Sequence, residues 1–303
     1  MRHYQIALFS TLLLVSGFWF PQSASASPVF SILTVDILNA FVIPRGINNG
    51  GTIVGEYRTA LVGAHGFIAN GTTISTIDTP GYPTTVLEDV NDAGLIVGSF
   101  GNLTGPNVTS FGFLLDGGVF SPIAFPGADY SGPSGINNLG QIVGDYGIGG
   151  RSFGFIKDGS TFTTLQFPGA QDTTLMGIND HGQIVGSYIL PGSAPRPFVW
   201  SAGIFTTLNV PNADVAIAAD INNRGYIVGE YVQSVCKPPC LNHGFLYDGT
   251  TFVDISELSG AYGINDSGQI VGPAQPVSES PTVTLLAVGL LGLLFMKSSS
   301  LSS

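Results

Sequence analysis

The chain has 303 residues, of which 44% are hydrophobic and only 10% charged, with 42 glycines and 19 prolines. An apolar fraction of that size excludes intrinsic disorder. A formal charge of −11, with only 9 Lys+Arg, excludes a nucleic-acid grip, which needs clustered cations to displace counterions from phosphates.

The first segment, 1–26, has the layout of a secretory signal peptide. Arg2 and His3 form a short basic lead, Ile6 to Phe20 is apolar, and Ala24-Ser25-Ala26 supplies small residues ahead of a cleavage point between Ala26 and Ser27. The apolar stretch is shorter than the roughly 20 residues a spanning helix needs.

From Ser27 to Gly272 the chain repeats itself. "GINDHGQIVGSY", starting at Gly177, has five close variants, whose asparagines are Asn48, Asn91, Asn137, Asn179, Asn222 and Asn265. Successive spacings are 43, 46, 42, 43 and 43 residues. Each full unit reads as four short strands separated by turn residues, with no helical spacing anywhere. Asn at the first position of a type I turn and Gly at the fourth, in positive φ, suit a bulged hairpin between the first two strands. Calcium and phosphate readings of this loop fail on ligand count and on the lack of a following helix or lysine.

The third strand carries a second marker: His65-Gly66-Phe67, Phe111-Gly112-Phe113, Phe153-Gly154-Phe155, Arg196-Pro197-Phe198 and His243-Gly244-Phe245. The phenylalanine is constant and the first residue varies. That pattern predicts a packed aromatic in every unit, not a catalytic or metal-bound histidine at 65 or 243.

A four-stranded unit of about 43 residues matches a β-propeller blade, typically 40–45 residues. The fold class expected is therefore all-β, a β-propeller. The 246 residues of 27–272 are too few for seven blades. Five complete units leave a strand resembling the fourth of a blade at Phe30–Ile37 and a hairpin at Tyr262–Gly272. Together they predict a sixth blade closed by both termini, its third strand missing or improvised; five blades with loose ends is the alternative.

Within the repeat, the residue before the conserved Ile or Val of the first strand is Gly46, Asp89, Gly135, Gly177, Asp220 and Gly263. Two carboxylates replace glycine three units apart. In a six-membered ring Asp89 and Asp220 face each other across the channel, where they are candidates for acid–base work or cation binding. The longest second-to-third connections are Phe100–Ser110 and Tyr231–Asn242. The latter holds Cys236 and Cys240, expected to form a disulfide in an exported chain; a zinc site would lack ligands. No cofactor is implied.

Taken together, "GIN(N/D)xGQIVG", "(H/F)GFxxDG" and "FTTLxxPGA" resemble the HAF-repeat group of probable extracellular bacterial proteins. The resemblance implies export and a repeat architecture, and brings no established chemistry.

After a linker, 273–281, the segment 282–303 runs apolar from Val283 to Met296 and ends with Lys297 and serines. About 21 Å of helix would fall short of the roughly 30 Å hydrocarbon core. The layout resembles a PEP-CTERM sorting signal, with Glu279 keeping the acid, Pro281 displaced by one place and Lys297 standing for the basic cluster. That resemblance implies an exosortase-like processing enzyme and retention at the membrane. The expectation is an exported, surface-retained propeller that binds an extracellular glycan or a cell-surface protein, or serves a structural role in a polysaccharide matrix. A glycan hydrolase or lyase using the channel carboxylates is the alternative.

Overall fold

The structure, a computed structural model, describes residues 30–59, 63–102, 109–233 and 242–275. The expected signal peptide with its Ala26–Ser27 cleavage point, the Cys236–Cys240 pair, and Glu279, Pro281 and Lys297 of the tail lie outside the described residues.

A short strand, β1 (Ser31–Leu33), precedes five antiparallel blades. The first is β2–β5 (Phe41–Ile47, Ile53–Arg58, His65–Asn70, Thr73–Ile77). The second is β6–β9 (Thr84–Val90, Ile96–Asn102, Thr109–Asp116, Val119–Ile123). The third is β10–β13 (Tyr130–Ile136, Ile142–Ile148, Arg151–Asp158, Thr161–Leu165). The fourth is β14–β17 (Asp172–Ile178, Ile184–Ile189, Arg196–Ser201, Ile204–Thr207). The fifth is β18–β21 (Val215–Ile221, Ile227–Val232, His243–Tyr247, Phe252–Ile255). The sixth joins β22 (Gly263–Ile264) and β23 (Gln269–Val271) to β1 in the order β1-β23-β22. The molecule is a six-bladed β-propeller whose last blade is closed by both ends of the chain.

Among the described residues the sixth blade lacks its third strand, one of the two forms expected for it. The N-terminal strand, read as the fourth of a blade, pairs directly with β23, Ile32 opposite Ile270, in parallel. The reason is directional. In an antiparallel four-stranded blade the fourth strand runs parallel to the second. With no third strand between them, the fourth-type strand moves inward and keeps its direction. Ser31 N–H donates to Gly268 O at 3.0 Å to fix the pairing.

Packing explains why the ring closes. A lone blade is apolar on both faces, so its core must lie between neighbours. Six apolar clusters fill the six interfaces. Val54 of the first blade packs with Leu87, Ile96 and Phe113 of the second. At the seam, Val271 of the sixth blade packs with Ile47, Ile53 and Phe67 of the first. The constant phenylalanine of the third strand belongs to five of the six, all but the one between the fifth and sixth blades: Phe67, Phe113, Phe155 and Phe198 are 0% exposed and Phe245 1%. Burying such a ring contributes about 1.5–3 kcal/mol.

The expected hairpin turn forms in all six copies. Gly94 N–H donates to Asn91 O, Asn91 N–H to Leu95 O, and Gly94 has φ 80°. All these turns lie on one face, here the turn face. The second-to-third connections and the blade-to-blade connectors leave from the opposite, loop face, because strand direction alternates within each blade. The strands β7 and β19 therefore both end on that side.

Candidate functional site

Where the turns meet at the axis, the sequence builds two closed hydrogen-bonded rings. In each turn the first asparagine accepts main-chain N–H groups on Oδ1, as Asn91 does from Ala93 and Leu95. Its amide then donates to the asparagine carbonyl of the next blade: Asn91 to Asn137, Asn137 to Asn179, and so on to Asn265, which reaches Asn48 at 3.0 Å. The second turn residue alternates: Asn49, Asp92, Asn138, Asp180, Asn223, Asp266. Each asparagine amide bridges two carboxylates; Asn138 Nδ2 donates to Asp92 at 2.9 Å and Asp180 at 3.0 Å. Each main-chain N–H donates to the next Oδ1, as Asn138 does to Asp180 at 2.8 Å. Asp180 illustrates the balance. Burial works to raise its pKa, but the donors of Asn138 and Asn223 outweigh that and hold it below the usual value.

Asp89 and Asp220 sit one level deeper and line one cavity of about 60 Å³ at this end of the channel. Both carboxylates are committed to the backbone. Asp89 accepts Val90 N–H and, across the blade boundary, Ile136 N–H at 2.9 Å. Asp220 repeats this with Ile221 and, at 2.8 Å, Ile264. Burial raises the pKa of both; repulsion from Asp220 adds to the rise at Asp89, and the N–H donors oppose it. Each side chain lies against a glycine of the preceding blade, Gly46 or Gly177, where a Cβ would clash.

The wider cavity, about 280 Å³, opens toward the loop face. Apart from Thr174 and Ile217, its walls come from two positions that the repeat leaves variable. The first is the residue just before the Gly/Asp column: Arg45, Glu88, Ser134, Met176, Ala219 and Tyr262. In the five full blades this residue is the one skipped in the strand register, as between Leu87 and Asp89, so the bulge turns it into the channel. The second follows Ile-Val-Gly on the second strand: Glu56, Ser99, Asp145, Ser187, Glu230 and Pro273. Its Asp145 and Glu230 reach the same cavity.

These side chains form a fixed charge network. Arg45 pairs with Glu56 at 2.7 Å and Glu88 at 3.1 Å, and Arg58 pairs with Glu56 at 3.0 Å. Burial alone would lower the Arg45 pKa, but Glu88 and Glu56 outweigh it and keep the guanidinium charged. Burial raises Glu88, against the pull of Arg45. Tyr262 donates to Glu230 at 3.0 Å.

A third cavity, about 520 Å³, continues from this one into the groove between the second and third blades. The two share Glu88, Ser134 and Asp145. The groove adds Tyr130 and Phe111, 38% and 46% exposed.

His65 and His243, for which the repeat pattern predicts no catalytic or metal role, stack on Tyr57 and Tyr231 with centroids 5.2 and 5.3 Å apart. His65 Nδ1 also meets Asp78 at 3.0 Å. Neither histidine lines the channel cavities.

Fold and site thus define a six-bladed propeller with hydrogen-bonded rings at its turn face and a polar, non-repeating loop face. No protein-family model matches the sequence, and no curated protein sequence matches it. Among solved structures, the chain is similar to a fungal lectin from Aleuria aurantia described as a six-bladed β-propeller with a novel fucose recognition mode. Identity there is 9%, over 79% of this chain and 80% of that one, with a TM-score of 0.46. AofleA from Arthrobotrys oligospora gives 13% identity over 78% and 80%, TM-score 0.46. Trypanosoma rangeli sialidase gives 12% over 78% and 53%, TM-score 0.46.

Proposed function

We propose that this chain is an exported, surface-retained propeller that binds an extracellular glycan at its loop face. The observation that carries the reading is the lining of the loop-face cavities. The repeated positions of the channel spend their polar groups on closed hydrogen-bonded rings, whereas the variable ones gather Arg45, Glu88, Asp145, Glu230 and Tyr262 around an open cavity. Fixed carboxylates and hydroxyls beside exposed aromatic rings suit a ligand rich in hydroxyl groups with apolar C–H faces. Export and retention rest on the leader and tail patterns of the sequence, and processing by an exosortase-like enzyme belongs to the same reading.

The hydrolase or lyase alternative relied on Asp89 and Asp220. Their oxygens already accept main-chain N–H groups between blades. That arrangement supports a tethering role in place of proton transfer. The test is full-length protein on an array of extracellular polysaccharides, read for retention and for release of reducing or unsaturated ends. Retention without release supports the binding module. Release abolished by Asp89→Asn or Asp220→Asn supports the enzyme. No retention on any glycan refutes the reading.

A further inference from the structure

We infer that the groove between the second and third blades is a single subsite for an uncharged sugar ring, with Tyr130 as its stacking platform. The inference rests on the glycan-binding reading above and narrows it to one groove and one ligand class.

Tyr130 is held before any ligand arrives. Its hydroxyl donates to Asp145 Oδ2 at 2.8 Å, and Ser152 Oγ donates to the same oxygen at 2.7 Å. Its ring lies over Gly147, its register partner on β11, where a Cβ would collide with the ring. One face is thus occupied by backbone while the residue keeps 38% of its surface exposed, on the wall of the 520 Å³ cavity. A platform locked by hydrogen bond and packing loses little entropy on binding. Asp145 spends Oδ2 on the two hydroxyls, which leaves Oδ1 beside Gly132, whose missing side chain keeps the space there open.

The combination occurs once. The residues matching Tyr130 at the head of the first strand are Phe41, Thr84, Asp172 and Val215, and those facing them are Arg58, Gly101, Ile189 and Val232. The third blade alone pairs an aromatic with glycine. The repeat therefore predicts one such subsite per molecule.

The lining sets the ligand class. Glu88, Asp129 and Asp145 line the groove, and among the described residues no lysine or arginine does; Arg45 pairs with Glu88 from the neighbouring cavity. Uronates, sialic acids and sulfated sugars would meet like charge in a partly desolvated cleft, which costs affinity. A neutral pyranose offers a C–H face to Tyr130 and hydroxyls to carboxylates and serines. The volume falls within the roughly 300–1,000 Å³ of ligand clefts.

Calorimetric titration of the full-length protein tests this, with hexasaccharides from neutral glucan, mannan and galactan against alginate and polygalacturonate oligomers of equal length. The expected result is binding to at least one neutral oligomer and at least tenfold weaker binding to both uronates. Tyr130→Ala is expected to weaken binding at least tenfold, and Tyr130→Phe by a few-fold through the loosened ring. Gly147→Ala, read only where the far-UV spectrum matches wild type, weakens binding about fivefold by displacing the platform. Wild-type affinity in Tyr130→Ala and Tyr130→Phe would overturn the subsite while leaving the binding module intact. Equal affinity for uronates would overturn the charge selection. Binding to no oligomer in the set would overturn the subsite, and retention on the polysaccharide array would then decide the broader reading separately.

Discussion

The alternating ring at the turn face makes a prediction that ordinary helix or strand propensity does not. Asp180 accepts three hydrogen bonds, from Asn138 N, Asn138 Nδ2 and Asn223 Nδ2, at 2.8, 3.0 and 2.9 Å. Replacing it with asparagine is nearly isosteric, yet it cannot satisfy the site in either orientation. With the amide nitrogen at Oδ2, it faces two amide donors; flipped, it faces the main-chain N–H of Asn138. Alanine instead leaves those donors to water at a partly open site. Partly exposed bonds to a charged acceptor contribute about 1 kcal/mol each, so either change is expected to cost roughly 2–4 kcal/mol. For a chain of this size that lowers Tm by about 5–12 °C. The assay is thermal and urea unfolding of wild type, Asp180→Ala and Asp180→Asn. Asparagine is expected to be at least as destabilising as alanine. An Asp180→Asn variant with wild-type stability would refute the donor–acceptor reasoning.

Two further outcomes follow from the same interior. Asp89, Asp220, Glu88 and Asp145 have pKa values raised by burial, so the folded state holds their protons to higher pH than the unfolded chain. Their contribution to stability is fullest near or below about pH 4 and is lost as pH rises through the folded values. Asp180, lowered, has the opposite sign and loses its contribution only as pH falls below about 4. Tm is therefore expected to be higher near pH 5 than at pH 7.5, with a smaller difference in an Asp89→Gly/Asp220→Gly double variant; an unchanged difference would exclude those two groups as its source. Separately, a Cβ on Gly98 would strike Val86 O and come within 2.7 Å of Phe113 Cζ. Gly98→Ala should cost about 3 kcal/mol or more by overpacking a rigid site, measured by urea unfolding, whereas a surface-like loss under 0.5 kcal/mol would contradict the packing described.

Much of this architecture was legible in the sequence. Period, turn chemistry and the constant phenylalanine gave blades, hairpins and core, and the leftover strand and hairpin gave the sixth blade. The alternation of Asn49, Asp92, Asn138, Asp180, Asn223 and Asp266 was also readable and would have decided five blades against six. A ring of strictly alternating donors and acceptors closes only with an even number of members. The channel-mouth residues were overlooked for a different reason. Strand alternation has period 2, and a bulge breaks it where Arg45 and Glu88 stand, so their inward direction follows from the register shift and not from the pattern. The cross-blade bonds of the asparagines, and the reach of Asp89 and Asp220 to the next blade, depend on how units sit side by side. No single unit of sequence encodes that.

The closed ring is most directly tested by amide hydrogen exchange at Phe30–Ile37, read with the segment Gln269–Val271. β1 pairs with β23 in parallel; its Leu33 packs at the seam with the first blade and its Ile32 in the cluster between the fifth and sixth blades. Protection of the two segments should be matched and lost together, in the same unfolding event that exposes the other blades. Fast exchange at Ser31–Leu33 beside a protected Gln269–Val271 would show that the N-terminal strand does not complete the sixth blade.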